Sequence, residues 1–153
     1  MPNLYPTIEP AETFEAITTE EASYPTATWV FDFDAGEFAI IPPGRVKPIT
    51  DDRLTTFLEW ARKAIITARY RYPVYDDQYG SELESLLGDS LPRGIADNEL
   101  RRMVDDCLRA DPRTADVRDI SIDWTDPEAP VVSCTLVSIW GDQATLSQEL
   151  PNG

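Results

Sequence analysis

Hydrophobic and polar positions alternate with a period of two in TWVFDFD (28–34), which sets Trp29, Phe31 and Phe33 on one face and Asp32 and Asp34 on the other. That period predicts a strand. Ala35-Gly36 marks a turn, Phe38 to Ile41 predicts the returning strand, and Pro42-Pro43-Gly44 closes the hairpin. The period then changes. Leu54, Phe57, Leu58, Ala61, Ile65 and Ala68 form an apolar stripe at helical spacing over 51–70, with Asp51 or Asp52 as the cap and Pro73 as the stop. SELESLLG (81–88) predicts a short helix, with Ser81 and Glu84 spaced as a capping box and Gly88 at its end. Residues 97–110 predict a second long helix capped by Asp97, with Leu100, Met103, Val104, Cys107 and Leu108 inward and Pro112 beyond its end. DISIDW alternates with Ile120, Ile122 and Trp124 on one side. VVSCTLVSIW is partly apolar on both faces, as a central strand is, and ATLSQEL after Gly141-Asp142 alternates as an edge strand. The expected architecture is α+β: one small domain with an N-terminal β-hairpin, two main helices plus a short one, and a C-terminal antiparallel sheet.

Composition changes this picture at the N-terminus. Residues 1–28 carry Glu9, Glu12, Glu15, Glu20 and Glu21, no basic residue, and Pro2, Pro6, Pro10 and Pro25. They predict an acidic arm, extended or disordered on its own, ahead of a domain at 29–150 and a tail at 151–153. The chain of 153 residues has a net charge of −15, which argues against nucleic acid as a ligand, because phosphate neutralisation needs clustered Lys and Arg. Lys47 and Lys63 are the only lysines. High Asp with low Lys suits a salt-adapted host, and equally an arginine-rich genome. No apolar run reaches the length of a membrane span and no basic-then-apolar leader opens the chain, so a soluble protein is expected. There is no histidine, which removes Ser-His-Asp triads, Cys-His dyads and the commonest zinc ligand. Cys107 and Cys134 fall in a helical and a strand pattern and are expected as buried thiols.

Three stretches are candidates for chemistry or binding. Asp51-Asp52, Asp76-Asp77 and Asp105-Asp106 are acid pairs, but a glycosidase needs two carboxylates fixed across a cleft, and adjacency does not supply that geometry. RYRYPVYDDQYG (69–80) holds four of the six tyrosines. Tyrosine buries a large ring and keeps a polar tip, so this segment is read as a packed connector after the long helix, with tyrosine edges open to a protein partner. ADPR (110–113) places Asp111 after a helix C-terminus, where a carboxylate is disfavoured and Arg109 or Arg113 offsets it. An arginine there serves either a local pair or a partner.

The hairpin FDFDAGEF, the segment RYRYPVYDDQYGSELESLLG, the helix ending in ADPR and the strands around SIWGDQATL occur in an order that resembles the XkdS-like proteins of defective and contractile phages, small baseplate wedge proteins also called sheath initiators. The likeness covers about residues 28–150 and is carried most specifically by the pattern Y-x-Y-P-[IV]-Y…YG, met here by Tyr72, Pro73, Tyr75, Tyr79 and Gly80. It implies a non-catalytic baseplate component without cofactor or metal, joining wedge proteins to the first sheath ring. It is expected in six copies per particle, near tube or hub proteins, assembled in a host cytoplasm and resident in a virion or tail-like particle, with no nucleic-acid or membrane partner. The family's Glu-Pro-Arg wedge-binding motif falls on Asp111, Pro112 and Arg113, with the acid one methylene shorter. The sheath-binding edge strand, to which sheath arms add, falls on Gln143, Ala144, Thr145, Leu146, Ser147, Gln148, Glu149 and Leu150. The alternative is a regulatory adaptor of the same fold bound to a cytoplasmic protein. A lysozyme label carried by some relatives finds no support in these residues.

Overall fold

A computed structural model describes residues 24–50, 52–87, 92–127 and 129–150. The acidic arm up to residue 23, Asp51, Gly88 and the tail at 151–153 lie outside the described residues.

The expected hairpin is larger than the sequence indicated. Six two-residue strands, β1 (Thr28–Trp29), β2 (Phe31–Asp32), β3 (Glu37–Phe38), β4 (Ile40–Ile41), β5 (Arg45–Val46) and β6 (Pro48–Ile49), form three antiparallel ladders. β1 pairs with β6, β2 with β3 and β4 with β5, so three bent segments close on one another as a triangle. At its centre the Val30 N–H donates to the Lys47 carbonyl at 3.0 Å, the Lys47 N–H to Ala39 at 2.8 Å, and the Ala39 N–H to Val30 at 3.0 Å. This ring of bonds satisfies the backbone where each segment bends. The third side, β5 and β6, was hidden by Gly44 and Pro48, residues that interrupt a strand pattern. The bend at Val30 also separates the expected aromatic face. Phe31 packs edge-on against Phe33 and Phe38 at 5.1 and 5.3 Å, whereas Trp29 is 53% exposed.

α1 (Arg53–Ile66) follows, capped by Asp52, whose carboxylate accepts from the Thr55 N–H at 2.9 Å and the Thr55 hydroxyl at 2.6 Å. The helix stops at Ile66, seven residues before Pro73. Thr67 ends it, donating its hydroxyl to the Lys63 carbonyl at 2.6 Å. The tyrosine segment is therefore a loop from its start, with Tyr70 at a φ of 65°. Ser81 and Glu84 make no capping box. The Ser81 hydroxyl donates to the Ile65 carbonyl at 2.6 Å, and Glu84 pairs with Arg71 at 2.7 Å. Both tie the loop and α2 (Leu83–Leu87) back onto the end of α1.

α3 (Arg93–Arg109) begins four residues ahead of the expected cap. Asp97 lies inside it and accepts from Arg101 Nε at 2.7 Å and from the Trp124 indole at 3.4 Å. The chain then makes a three-stranded antiparallel sheet in the order β7 (Thr114–Asp123), β8 (Val131–Ser138), β9 (Gln143–Glu149). β8 is central, as its apolar character indicated. The α+β architecture is that expected. α1 and α3 cover one face of the sheet. Phe57, Ala61 and Ile65 meet Leu100, Val104 and Leu108 over Val132, Leu136, Leu146 and Leu150. Each large side chain of this core contributes about 1.5–3 kcal/mol by leaving water. Cys107 and Cys134 are free thiols in this core, and burial pushes them up to about 12 and about 11.

Candidate functional site

The sheet has two edges, and they differ. β7 shifts register twice, between Thr114 and Asp116 and between Arg118 and Ser121, with Asp119 at a φ of 52° in the second irregularity. It also carries the charged side chains of Asp116, Arg118 and Asp119. Bulges and charge are the usual devices that stop an edge from pairing further. β9 has neither device over most of its length. It runs against β8 without a shift from Gln143 to Glu149, and Glu149 is its only charged residue.

The direction of the β9 backbone groups follows from the bonds at its two ends. The Leu150 N–H donates to the Pro130 carbonyl at 2.9 Å, and the Ser138 N–H to the Asp142 carbonyl at 2.9 Å. Opposed residues in an antiparallel pair alternate between bonded and non-bonded, so Ala144, Leu146 and Gln148 bond to β8. Gln143, Thr145, Ser147 and Glu149 then direct their N–H and C=O groups away from the sheet. Among the described residues only the Glu149 carbonyl meets a partner there, the Gln148 side-chain amide at 3.0 Å. The side chains follow the same alternation. Leu146, Gln148 and Leu150 are buried, while Gln143, Thr145, Ser147 and Glu149 are exposed.

Beside the far end of this edge lies a groove of about 550 Å³ between Ser147–Glu149, Phe33 and Asp34 of the β2–β3 turn, and Arg62 and Ile66 of α1. The Arg62 guanidinium stands 5.5 Å from the centre of the Phe33 ring. No sequence pattern marks these flanking residues, because three distant elements bring them together.

The α3–β7 corner holds the second candidate. Arg113 grips Asp111 side-on, Nε to Oδ1 at 2.9 Å and Nη2 to Oδ2 at 2.8 Å, and the Arg113 N–H donates to the same Oδ1 at 2.7 Å. Both residues are buried, 8% and 5% exposed. The guanidinium lies 5.4 and 5.5 Å from the ring centres of Phe57 and Trp60. Pro112 between them is exposed. Outside the pair, Asp116 accepts from Arg118 Nε at 2.6 Å and Arg109 Nη2 at 2.8 Å, and these hydrogen bonds hold its carboxyl down at about 2.

The tyrosine loop is not packed as the sequence suggested. Tyr72 and Tyr75 remain 48% and 49% exposed, and Tyr70 more so. Tyr72 and Tyr75 touch one another at 6.3 Å, Tyr75 leans on Tyr79 at 4.4 Å, and the Tyr79 ring in turn meets that of Trp60 at 6.2 Å. Its burial pushes the Tyr79 phenol up to about 12. Gly80 anchors the other end. Its φ is +94°, a Cβ there would lie 2.7 Å from the Thr67 carbonyl oxygen, and its own carbonyl accepts from Arg69 Nε and Nη2 at 3.1 and 2.9 Å. Only glycine combines that φ with that approach.

The described acid pairs are each occupied separately. Asp76 Oδ1 accepts from the Gln78 and Tyr79 N–H groups, Asp105 pairs with Arg109 and Asp106 with Arg102. No helix among the described residues is long and apolar enough to cross a membrane.

The described residues thus form a small α+β domain with one regular outer strand and a buried ion pair at the α3–β7 corner. Residues 27–141 match the family model of the contractile injection system sheath initiator. That is most of the chain, and the protein belongs to this family. Its role is accordingly a structural one in the sheath and baseplate region of a contractile particle. The match ends two residues before β9 begins. No curated protein matches the chain.

Proposed function

We propose that β9 is the strand on which the first sheath ring is built. A sheath strand adds to its outer edge by bonding to the N–H and C=O groups of Gln143, Thr145 and Ser147 and the N–H of Glu149, which places Leu150 at the limit of the pairing. The observation that carries this reading is the contrast between the sheet's edges: β7 is bulged and charged, β9 regular and nearly uncharged. Main-chain bonding of this kind gives affinity without demanding a particular sequence. The groove formed by Phe33, Arg62 and Ile66 would supply side-chain selectivity at one end.

The corner at Asp111, Pro112 and Arg113 is the proposed wedge contact. In this reading Asp111 and Arg113 hold the turn from beneath and Pro112 with the adjoining backbone presents it, supported by the burial of the pair and the exposure of Pro112. One copy on each of six wedges, assembled in the cytoplasm before sheath is added, then links baseplate to sheath without catalysis.

The test is recovery of tagged full-length protein from cells producing the particle. Thr145→Pro is expected to retain the wedge proteins and lose sheath. Sheath recovered undiminished with Thr145→Pro would remove β9 from the account.

A further inference from the structure

The β-triangle carries an apolar surface that neither proposed contact uses. Trp29, Phe38, Ile41, Val46 and Pro48, with Arg45, line a groove of about 650 Å³. Trp29, Phe38 and neighbouring Ile40 are exposed. A contiguous exposed apolar patch of this kind marks a binding site. Its rim is basic within a strongly acidic protein. Arg45 and Lys47 make no ion pair among the described residues. Lys63, the only other lysine, donates to the Trp29 carbonyl at 3.1 Å and stands 5.8 Å from the Phe38 ring centre. Lys63 is already paired with Glu59 at 3.7 Å, which leaves Arg45 and Lys47 as the rim cations without an ion pair among the described residues. Two such cations beside an apolar groove fit an occupant that is both acidic and apolar.

The chain supplies such a segment. Residues 1–23 contain Glu9, Glu12, Glu15, Glu20 and Glu21, no basic residue, and the apolar side chains of Leu4, Tyr5, Ile8, Phe14 and Ile17. They join the described domain at Tyr24, five positions from Trp29 in the groove wall. Phe14 lies ten positions before Tyr24, so an extended link reaches up to about 33 Å, ample to return to the groove. We propose that this groove is the docking site of the chain's own acidic N-terminal segment. In this proposal Phe14 and Ile17 supply the apolar complement to a groove lined by Trp29, Phe38 and Ile41, and the glutamates the charge complement to Arg45 and Lys47. Tethering makes the contact intramolecular, at an effective concentration on the order of millimolar, so modest affinity is enough. Such docking would cover this apolar groove without using β9 or the α3–β7 corner.

The experiment is paramagnetic relaxation in the full chain. A nitroxide is attached at Ala16→Cys, with Cys107 and Cys134 protected by burial. Strong broadening of Ile41 and Val46, absent at Thr145, is expected. It should be lost with Arg45→Glu/Lys47→Glu and, separately, with Phe14→Ser/Ile17→Ser, two pairs that leave the described core untouched. Broadening unaffected by either pair would overturn the proposal. So would broadening carried between chains, seen when spin-labelled protein is mixed with isotope-labelled protein, since that makes the occupant a second copy.

Discussion

Arg113 and Asp111 form a side-on, doubly bonded ion pair, Nε–Oδ1 2.9 Å and Nη2–Oδ2 2.8 Å, shut away from water at the α3–β7 corner. Removing one partner leaves the other charge buried alone, which costs about 3–5 kcal/mol in comparable pairs. Arg113→Ala is expected to lose stability of that order in urea unfolding, and Pro112→Ser to stay within about 0.5 kcal/mol of wild type. Failure of Arg113→Ala to bind wedge proteins therefore reports a damaged corner. The proposed contact is tested instead by substituting Pro112.

Gly80 makes a second point of rigidity. A side chain there meets the Thr67 carbonyl and must hold a φ of +94°. Gly80→Ala should cost at least about 1–3 kcal/mol, seen as a lowered Tm, and should loosen the Arg69 bonds to the Gly80 carbonyl. An unchanged Tm would mean that the loop moves freely to accommodate the methyl.

The tyrosines divide by burial. Tyr72→Ala/Tyr75→Ala removes rings that stay half in water, so its Tm should lie close to wild type. Tyr79→Ala loses the contact with Trp60 and should melt clearly lower. The opposite ranking would mean that the outer rings hold the loop.

Acid should weaken the fold through Asp116. Its folded pKa, about 2, lies below the ordinary 3.8 because Arg118 and Arg109 hydrogen-bond the carboxylate. The unfolded chain therefore binds a proton first as pH falls, so the contribution is complete above about 3.8 and is lost between there and about 2. Asp52, Asp97 and Asp123 are lowered as well and act in the same direction. Asp116→Asn should show a shallower fall in Tm across that window.

The thiols give a further check. Burial raises Cys107 and Cys134 to about 12 and about 11, so neither forms appreciable thiolate near neutrality. Native protein at about pH 8 should resist alkylation at both, and both should react once urea unfolds the core. Fast labelling of the native chain would show that the core opens.

Much of this fold could be read from periodicity. α1 and α3, the central β8 and the edge β9 each have a stripe or alternation set by the one face they bury. What escaped the sequence came from elsewhere. The third side of the β-triangle is two-residue strands around Gly44 and Pro48, too short and too interrupted to show a period. The end of α1 was set by Thr67 and the bonds of Ser81 to Ile65 and Thr67, which are tertiary, and not by the more conspicuous Pro73. Asp97 had the chemistry of a cap but was claimed by Arg101 and Trp124. The candidate edge was legible as a strand. Its openness, the Phe33–Arg62 groove beside it and the burial of Arg113 depend on packing between elements far apart in sequence.

The most direct measurement is sheath assembly on particles carrying Thr145→Pro. The Thr145 N–H faces away from β8, so proline there should leave the sheet's own ladder intact and block an added strand. Leu146→Pro, one residue on, breaks the ladder and serves as the unfolding control. Electron microscopy of particles with Thr145→Pro should show baseplates and tubes without sheath, while the isolated variant keeps the wild-type circular dichroism. Full-length sheath on those baseplates would contradict the claim that β9 templates it.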